Sequence, residues 1–79
     1  ENLSPAELVQ RILIGGENPL RAYREHRGLT QAQLAERSGV RQATISEIEN
    51  GDSAGSVPTL QKLASALTVD LEMLIPAAD

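Results

Sequence analysis

The segment Thr30-Gln-Ala-Gln-Leu-Ala-Glu-Arg-Ser-Gly-Val-Arg-Gln-Ala-Thr-Ile-Ser-Glu-Ile-Glu-Asn-Gly51 holds two short helical patterns on either side of a glycine. Thr30 is a good N-cap and Gln33 stands at the capping-box position three residues later, so a helix is predicted over about 31–38 with Leu34 and Ala35 facing inward. Gly39 can take the left-handed conformation that ends it. After a three-residue turn, Ile45 and Ile48 mark the buried stripe of a second helix, from about Arg41 to Asn50, that stops at Gly51. Two short helices joined through a glycine turn form a helix-turn-helix, but an ordinary αα-hairpin has the same composition, and the residues alone leave both readings open.

Toward the N-terminus, Ser4-Pro5-Ala6-Glu7 combines an N-cap, a proline in the first turn and a capping-box glutamate, which predicts a helix near 5–14 with Leu8, Ile12 and Val9 on one apolar face. Gly15-Gly16 ends it. Asn18-Pro19 repeats the cap-then-proline logic for a helix over about 19–27 that turns Leu20 and Tyr23 inward and stops at Gly28. Toward the C-terminus, residues 51–56 read as a polar loop. Ser56 then caps a helix over 57–67, with Pro58 in its first turn and Leu60, Leu63, Ala64 and Leu67 at helical spacing. Asp70 is expected to cap a last turn over 71–75 that inserts Leu71, Leu74 and Ile75 before Pro76 breaks the chain. No segment alternates as a strand does, so the expected class is all-α. The expected organisation is an accessory helix and linker (1–17), a helical domain (18–76) and a tail (77–79).

The 79 residues allow one domain, and a chain of that size buries only about 60% of its unfolded surface. With no cysteine there is neither a disulfide framework nor a thiolate metal site. The longest apolar run is Ile12-Leu13-Ile14, far short of a bilayer span, and no basic segment precedes an apolar one as in a signal peptide. A soluble, cytoplasmic protein without membrane partners is expected. The first residue is Glu1 rather than Met, as in a fragment or a processed product.

The formal charge of −4 opposes generic nucleic-acid binding, which relies on cations at phosphates. Its distribution softens the objection. Residues 1–18 and 63–79 are both net acidic, whereas the middle carries Arg21, Arg24, Arg27, Arg37, Arg41 and Lys62 against Glu25, Glu36, Glu47, Glu49 and Asp52. Any DNA-facing surface must lie there. The single His26 has no second histidine or clustered carboxylates at ligand spacing, so a surface role without metal is expected. Gly15-Gly16-Glu17 lacks the spacing of a phosphate loop, and one histidine supports no Ser–His–acid arrangement. Neither an enzyme nor a cofactor is expected.

From Pro19 to Pro76 the sequence resembles the Cro and phage C1 repressor type of helix-turn-helix domain, also called the xenobiotic-response-element family. The resemblance rests on Leu20-Arg21, Arg24 and Gly28-Leu29-Thr30-Gln31, then on Leu34-Ala35-Glu36, Gly39-Val40, Thr44-Ile45-Ser46 and Ile48-Glu49-Asn50-Gly51. Farther along it rests on Thr59-Leu60, Leu63-Ala64, Leu67-Thr68-Val69-Asp70 and Leu74. It implies a compact five-helix domain, here behind an extra N-terminal helix, that commonly binds double-stranded DNA as a homodimer on a palindromic operator and represses transcription. Residues 16–31 look particularly like antitoxins, which repress their own operon and hold a protein toxin through a separate segment.

Carried over residue by residue, the resemblance presents Arg41, Gln42, Ala43, Ser46 and Glu47 to base edges. Gln42 has the bidentate chemistry for adenine, Ala43 or the Thr44 methyl suits a thymine methyl, and Glu47 suits cytosine N4. The plainer readings are a solvated Gln42, and a Glu47 that is merely exposed or repels phosphate at wrong sites. Gln31, Thr44 and Asn50 match phosphate-contacting positions, with simple capping as the alternative for Gln31. Asp52 stands where many relatives carry Lys or Arg. Arg24 and Glu49 match a partly buried ion pair that ties two helices together; a lone Arg24 would instead read as a phosphate contact. Tyr23 reads as a core or interface residue. The rival to a repressor is a protein-interaction module that keeps the fold and binds DNA weakly or not at all, which the acidic balance and Asp52 would suit.

Overall fold

The computed structural model describes residues 4–75. The proposed break at Pro76 and the 77–79 tail lie outside them, as do the first three residues of the accessory region. Five α-helices follow one another: α1 Pro5–Leu13, α2 Pro19–His26, α3 Gln31–Ser38, α4 Gln42–Glu49 and α5 Val57–Leu67; a 3-10 turn, Leu71–Leu74, closes the chain. No strand occurs among the described residues, and the class is all-α as expected. The accessory helix is α1, and the 3-10 turn takes the fifth place of the core.

Side-chain caps set where these helices begin. Ser4 with Glu7 and Thr30 with Gln33 form complete capping boxes at α1 and α3, and the Ser56 hydroxyl accepts from the Thr59 amide at 3.3 Å at α5. Asn18 serves two helices. Its Oδ1 accepts from the Arg21 amide at 3.0 Å, and its Nδ2 donates to the Ile48 carbonyl at 2.9 Å, so the start of α2 is braced to the last turn of α4. Several ends differ from the sequence reading by one residue. Arg41 and Asn50 flank α4 as its caps, because Arg41 has extended backbone (φ −63°, ψ 142°) and makes no side-chain cap bond. Asp70 likewise makes no cap bond, and the turn after it is 3-10 and stops at Leu74. The predicted ends of the first two helices fall one residue long, with Ile14 and Arg27 acting as C-caps.

The core draws aliphatic side chains from α2, α3, α4, α5 and the 3-10 turn. Leu20, Leu34, Ile45, Leu63 and Leu67 are fully enclosed, with Leu29, Val40, Ile48, Leu60, Ala64 and Leu74 around them. Gly39 turns α3 into α4 at φ +77°. Gly55, at φ +78°, lies so close to α4 that a Cβ there would meet the Ile48 Cδ1 at 2.9 Å. The 51–56 loop is thereby pressed onto α4 and α5.

A nine-residue helix such as α1 is marginal in water by itself. Leu8, 2% exposed, lines one cavity with Tyr23, His26 and Val69, and full burial of a leucine is worth about 1.5–3 kcal/mol. A charge network assists. Arg11 donates to both oxygens of Glu17 and, at 3.4 Å, to Glu25, which also accepts from Arg21 at 3.1 Å. The Glu17 carboxyl is held below its ordinary range by the Arg11 guanidinium, and that of Glu25 by Arg21 first and Arg11 second.

Thr68 ends α5 in the left-handed region at φ 59°, a conformation that crowds a β-branched side chain. Thr68→Gly is expected to stabilise the fold by about 0.5–1 kcal/mol, the left-handed penalty less the extra chain entropy of glycine. Thermal unfolding checks this: the midpoint should rise by a few degrees, and an unchanged or lower midpoint would show that Thr68 carries no strain.

Candidate nucleic-acid interface

Helical spacing sorts α4 into two faces. Ile45 and Ile48 point into the core, and Glu49, next to Ile48, is also buried. Gln42, Ala43 and Glu47 are exposed, Arg41 and Asn50 are exposed at the two caps, and Thr44 and Ser46 are half-buried. Residues 42, 43, 46, 47 and 50 lie at i, i+3 and i+4 spacings, so the side chains proposed to read DNA share one outward face. Ser46 is the least free of them. It lies within 3.5 Å of the Asn50 amide, at the outer limit of a hydrogen bond.

Beneath that face the Arg24 guanidinium makes three bonds. Its Nε and Nη2 donate to the two carboxylate oxygens of Glu49 at 2.6 and 2.9 Å, and its Nη1 donates to the Leu29 carbonyl at 2.7 Å. The side chains are 11% and 3% exposed. This bidentate geometry is the strong form of an ion pair, and the bond to Glu49 raises the Arg24 pKa above its already high ordinary value. One guanidinium therefore joins α2, the turn before α3 and the last turn of α4.

Gln31 enters the same cluster. Its Nε2 donates to the Glu49 Oε1 at 3.0 Å, while the cap of α3 is provided by Thr30. Capping by Gln31 is thus replaced by a brace from the first turn of α3 to α4, which uses one of its two amide hydrogens. No signal in the sequence pointed to this bond, because the partners are 18 positions apart and meet only once α3 and α4 cross. Asn18 was readable as a cap but not as the brace to Ile48.

The surface around α4 is weakly charged. Arg41 opens it, Glu47 lies at its centre and Asp52 is exposed in the following loop. His26 departs from the expected surface role. It is half-buried in the last turn of α2, and its Nδ1 is enclosed with no hydrogen-bond partner among the described residues. The cause is tertiary, since α1 and the segment after α5 fold over this end of α2. No group of three or more potential metal ligands occurs among the described residues, and none of their helices is long and apolar enough to cross a membrane.

Comparison with known proteins agrees with this geometry. The helix-turn-helix family matches residues 20–74. The HTH-type transcriptional repressor RghR of Bacillus subtilis is 53% identical over 57 residues, covering 71% of this chain and 42% of the relative. The putative antitoxin HigA2 of Mycobacterium tuberculosis is 41% identical over 61 residues (76% and 60%), and the antitoxin HigA1 of the same species is 37% identical over 73 (92% and 46%). The chain therefore spans roughly half the length of these relatives. No solved structure matches it significantly. A match that runs from the first buried leucine of α2 to the last of the 3-10 turn, over two helices set at a glycine corner, shows that the chain belongs to the helix-turn-helix family of the Cro/C1 type, whose members are non-enzymatic DNA-binding proteins.

Proposed function

We propose that this chain is the DNA-reading domain of a cytoplasmic transcriptional repressor that binds a palindromic operator as a homodimer, with α4 in the major groove. The observation that carries the reading is the division of α4: Ile45, Ile48 and Glu49 fix it to the body while Gln42, Ala43 and Glu47 stand free at its outer face. In a two-fold complex the two α4 helices lie about 34–36 Å apart, one turn of B-DNA. Gln42 is assigned to adenine, Ala43 or the Thr44 methyl to a thymine methyl, and Glu47 to cytosine N4, with Ser46 at the margin. Gln31, Thr44 and Asn50 are assigned to phosphates, while Arg41, at the base-reading end of α4, mainly supplies charge. With so few cations on this face, one copy binds weakly, and two are needed for useful affinity.

The test is a salt titration on a selected operator and on random DNA. Gln42→Ala is expected to cost about 1–3 kcal/mol on the operator only and to relax one base position, because only the amide offers the paired donor and acceptor that adenine requires. Arg41→Ala is expected to weaken both DNAs alike and to lower the salt slope by about 1. Equal losses from Gln42→Ala on the two DNAs would refute direct readout by that residue. No loss from either substitution would remove α4 from the groove.

A second reading, an antitoxin that represses its own operon and holds a protein toxin, is favoured by the names of the HigA relatives and by the acidic balance of −4, which leaves surface for a non-DNA partner. Binding of the chain's own upstream region supports it. Retention of a co-encoded protein without any DNA binding would favour the interaction module over both repressor readings.

A further inference from the structure

Polar bonds fix α4 to the body at one end. Among the described residues, those that reach it from the preceding elements all land on Ile48 and Glu49: Arg24 and Gln31 on the Glu49 carboxylate, and Asn18 on the Ile48 carbonyl at 2.9 Å. The first turn has no side-chain cap bond. The Asn18 bond differs from the others in kind. It grips main chain rather than a side chain, so α4 cannot slide or tilt by a change of rotamer while the bond holds. The Ile48 carbonyl is one of the last four of the helix and has no partner within it; it accepts from the Gly51 amide at 3.1 Å and takes its second bond from Asn18.

Asn18 is itself held in place. Its Oδ1 accepts from the Arg21 amide at 3.0 Å, the neighbouring Glu17 amide donates to the Arg11 carbonyl at 3.2 Å, and the Glu17 carboxylate accepts from the Arg11 Nε at 2.7 Å. The linker between α1 and α2 is thus a fixed support for α4. Asn18, Asn50 and Gly51 line one cavity of about 350 Å³, so the brace lies beside the side chain assigned above to a phosphate. We propose that Asn18 is a positioning residue for DNA recognition: its bond to the Ile48 carbonyl sets how the C-terminal end of α4 enters the groove, and thereby the reach of Glu47 and Asn50. Asn18 acts through α4 and not on DNA. Hydrogen bonds to bases and phosphates weaken steeply outside a narrow range of distance and angle, so a small shift of this end is enough to lose them. Gln42, at the opposite end of the helix, is governed least. This role rests on the reading of α4 as the groove helix and adds a residue, outside the helix-turn-helix, that controls its pose.

Two substitutions separate the brace from the cap. Asn18→Ser and Asn18→Thr each keep an oxygen for the Arg21 amide, because both are good N-cap residues, but their shorter side chains carry no amide to reach Ile48. Asn18→Ala lacks both bonds and should melt lowest of the three. Affinity is measured on the full-length protein well below the melting midpoint, where every variant is folded, so a loss of stability by itself leaves it unchanged. Operator affinity of Asn18→Ser and Asn18→Thr should fall about 3- to 10-fold, the equivalent of one hydrogen bond, with the salt slope unchanged because no charge is altered. Single-base operator variants and phosphate ethylation should show where the loss falls: discrimination weakens at the Glu47 base pair and the Asn50 phosphate and is kept at the Gln42 base pair. Exchange of the Gly51 amide, which shares the Ile48 carbonyl, should speed up in the same variants. Wild-type affinity in Asn18→Ser and Asn18→Thr, with Gln42→Ala still losing the operator, would overturn the role of Asn18 and leave α4 in the groove. A loss spread equally over both ends of α4 would reduce Asn18 to general support and overturn its positioning role. Operator binding indifferent to both Gln42→Ala and Arg41→Ala would overturn the groove reading and the role of Asn18 together.

Discussion

Arg24→Leu is expected to lower the unfolding free energy by about 3–5 kcal/mol, the loss associated with breaking one side of a buried ion pair. The substitution strips two charge-assisted bonds from Glu49, whose side chain is 3% exposed, and leaves the Leu29 carbonyl without its donor. Gln31 remains as a partner, but one neutral amide does not balance an enclosed carboxylate. A domain of this size is stable by only about 4–12 kcal/mol, so the loss removes a large share of the total. Chemical denaturation measures it, and a double-mutant cycle with Glu49→Leu separates the pair from its surroundings. The doubly apolar variant should recover part of the loss, since no charge is then left unpaired, and the coupling should reach about 1–3 kcal/mol. A coupling near zero would mean that the two side chains are neighbours without tying α2 to α4.

Ile45→Ala should cost about 2–5 kcal/mol, the range for emptying a leucine-sized site in a packed core. Ile45 is 0% exposed and lies on the inner side of the same helix turn that presents Gln42 outward, so its truncation acts on binding through folding alone. Apparent affinity for an operator should fall with the folded fraction and return when an excluded osmolyte restores folding. Base preference should not change, because Gln42 and Glu47 are untouched. That separates the variant from Gln42→Ala, which should keep its fold and lose discrimination. An Ile45→Ala protein that is fully folded yet fails to bind would show that this side chain sets the tilt of α4 as well as its stability.

Much of the architecture was legible in the residues because it depends on local signals. Ser4-Pro5, Asn18-Pro19, Thr30 with Gln33, and Ser56 start helices through bonds within one turn, and Gly39 ends one through its own backbone freedom. Those signals placed α3 and α5 at their observed bounds and the other ends within a residue or two. The i, i+3, i+4 repeat separated Ile45 and Ile48 from Gln42 and Glu47 without any knowledge of neighbours, because a helix fixes which residues share a face. Arg24 and Glu49 were singled out only through resemblance to a family, since an arginine and a glutamate 25 positions apart have no local relation.

What only the tertiary structure decided are bonds and surfaces made where elements cross. The Gln31 amide turned to Glu49, the second role of Asn18 on Ile48, and the enclosure of His26 under α1 each need two elements brought together. The local pattern was silent on them because a polar side chain finds its partner by proximity in space. The same holds for the α1 groove: Val9, Leu13, Met73 and Ile75 are unremarked apolar residues at two distant places in the chain until packing of α1 and the 3-10 turn on α2 sets them side by side. Caps, helical period and turn glycines were therefore written in the 79 residues as neighbours along the chain, while the brace behind α4 and the apolar groove beside α1 arose from packing, whose contacts link positions that sequence distance does not connect.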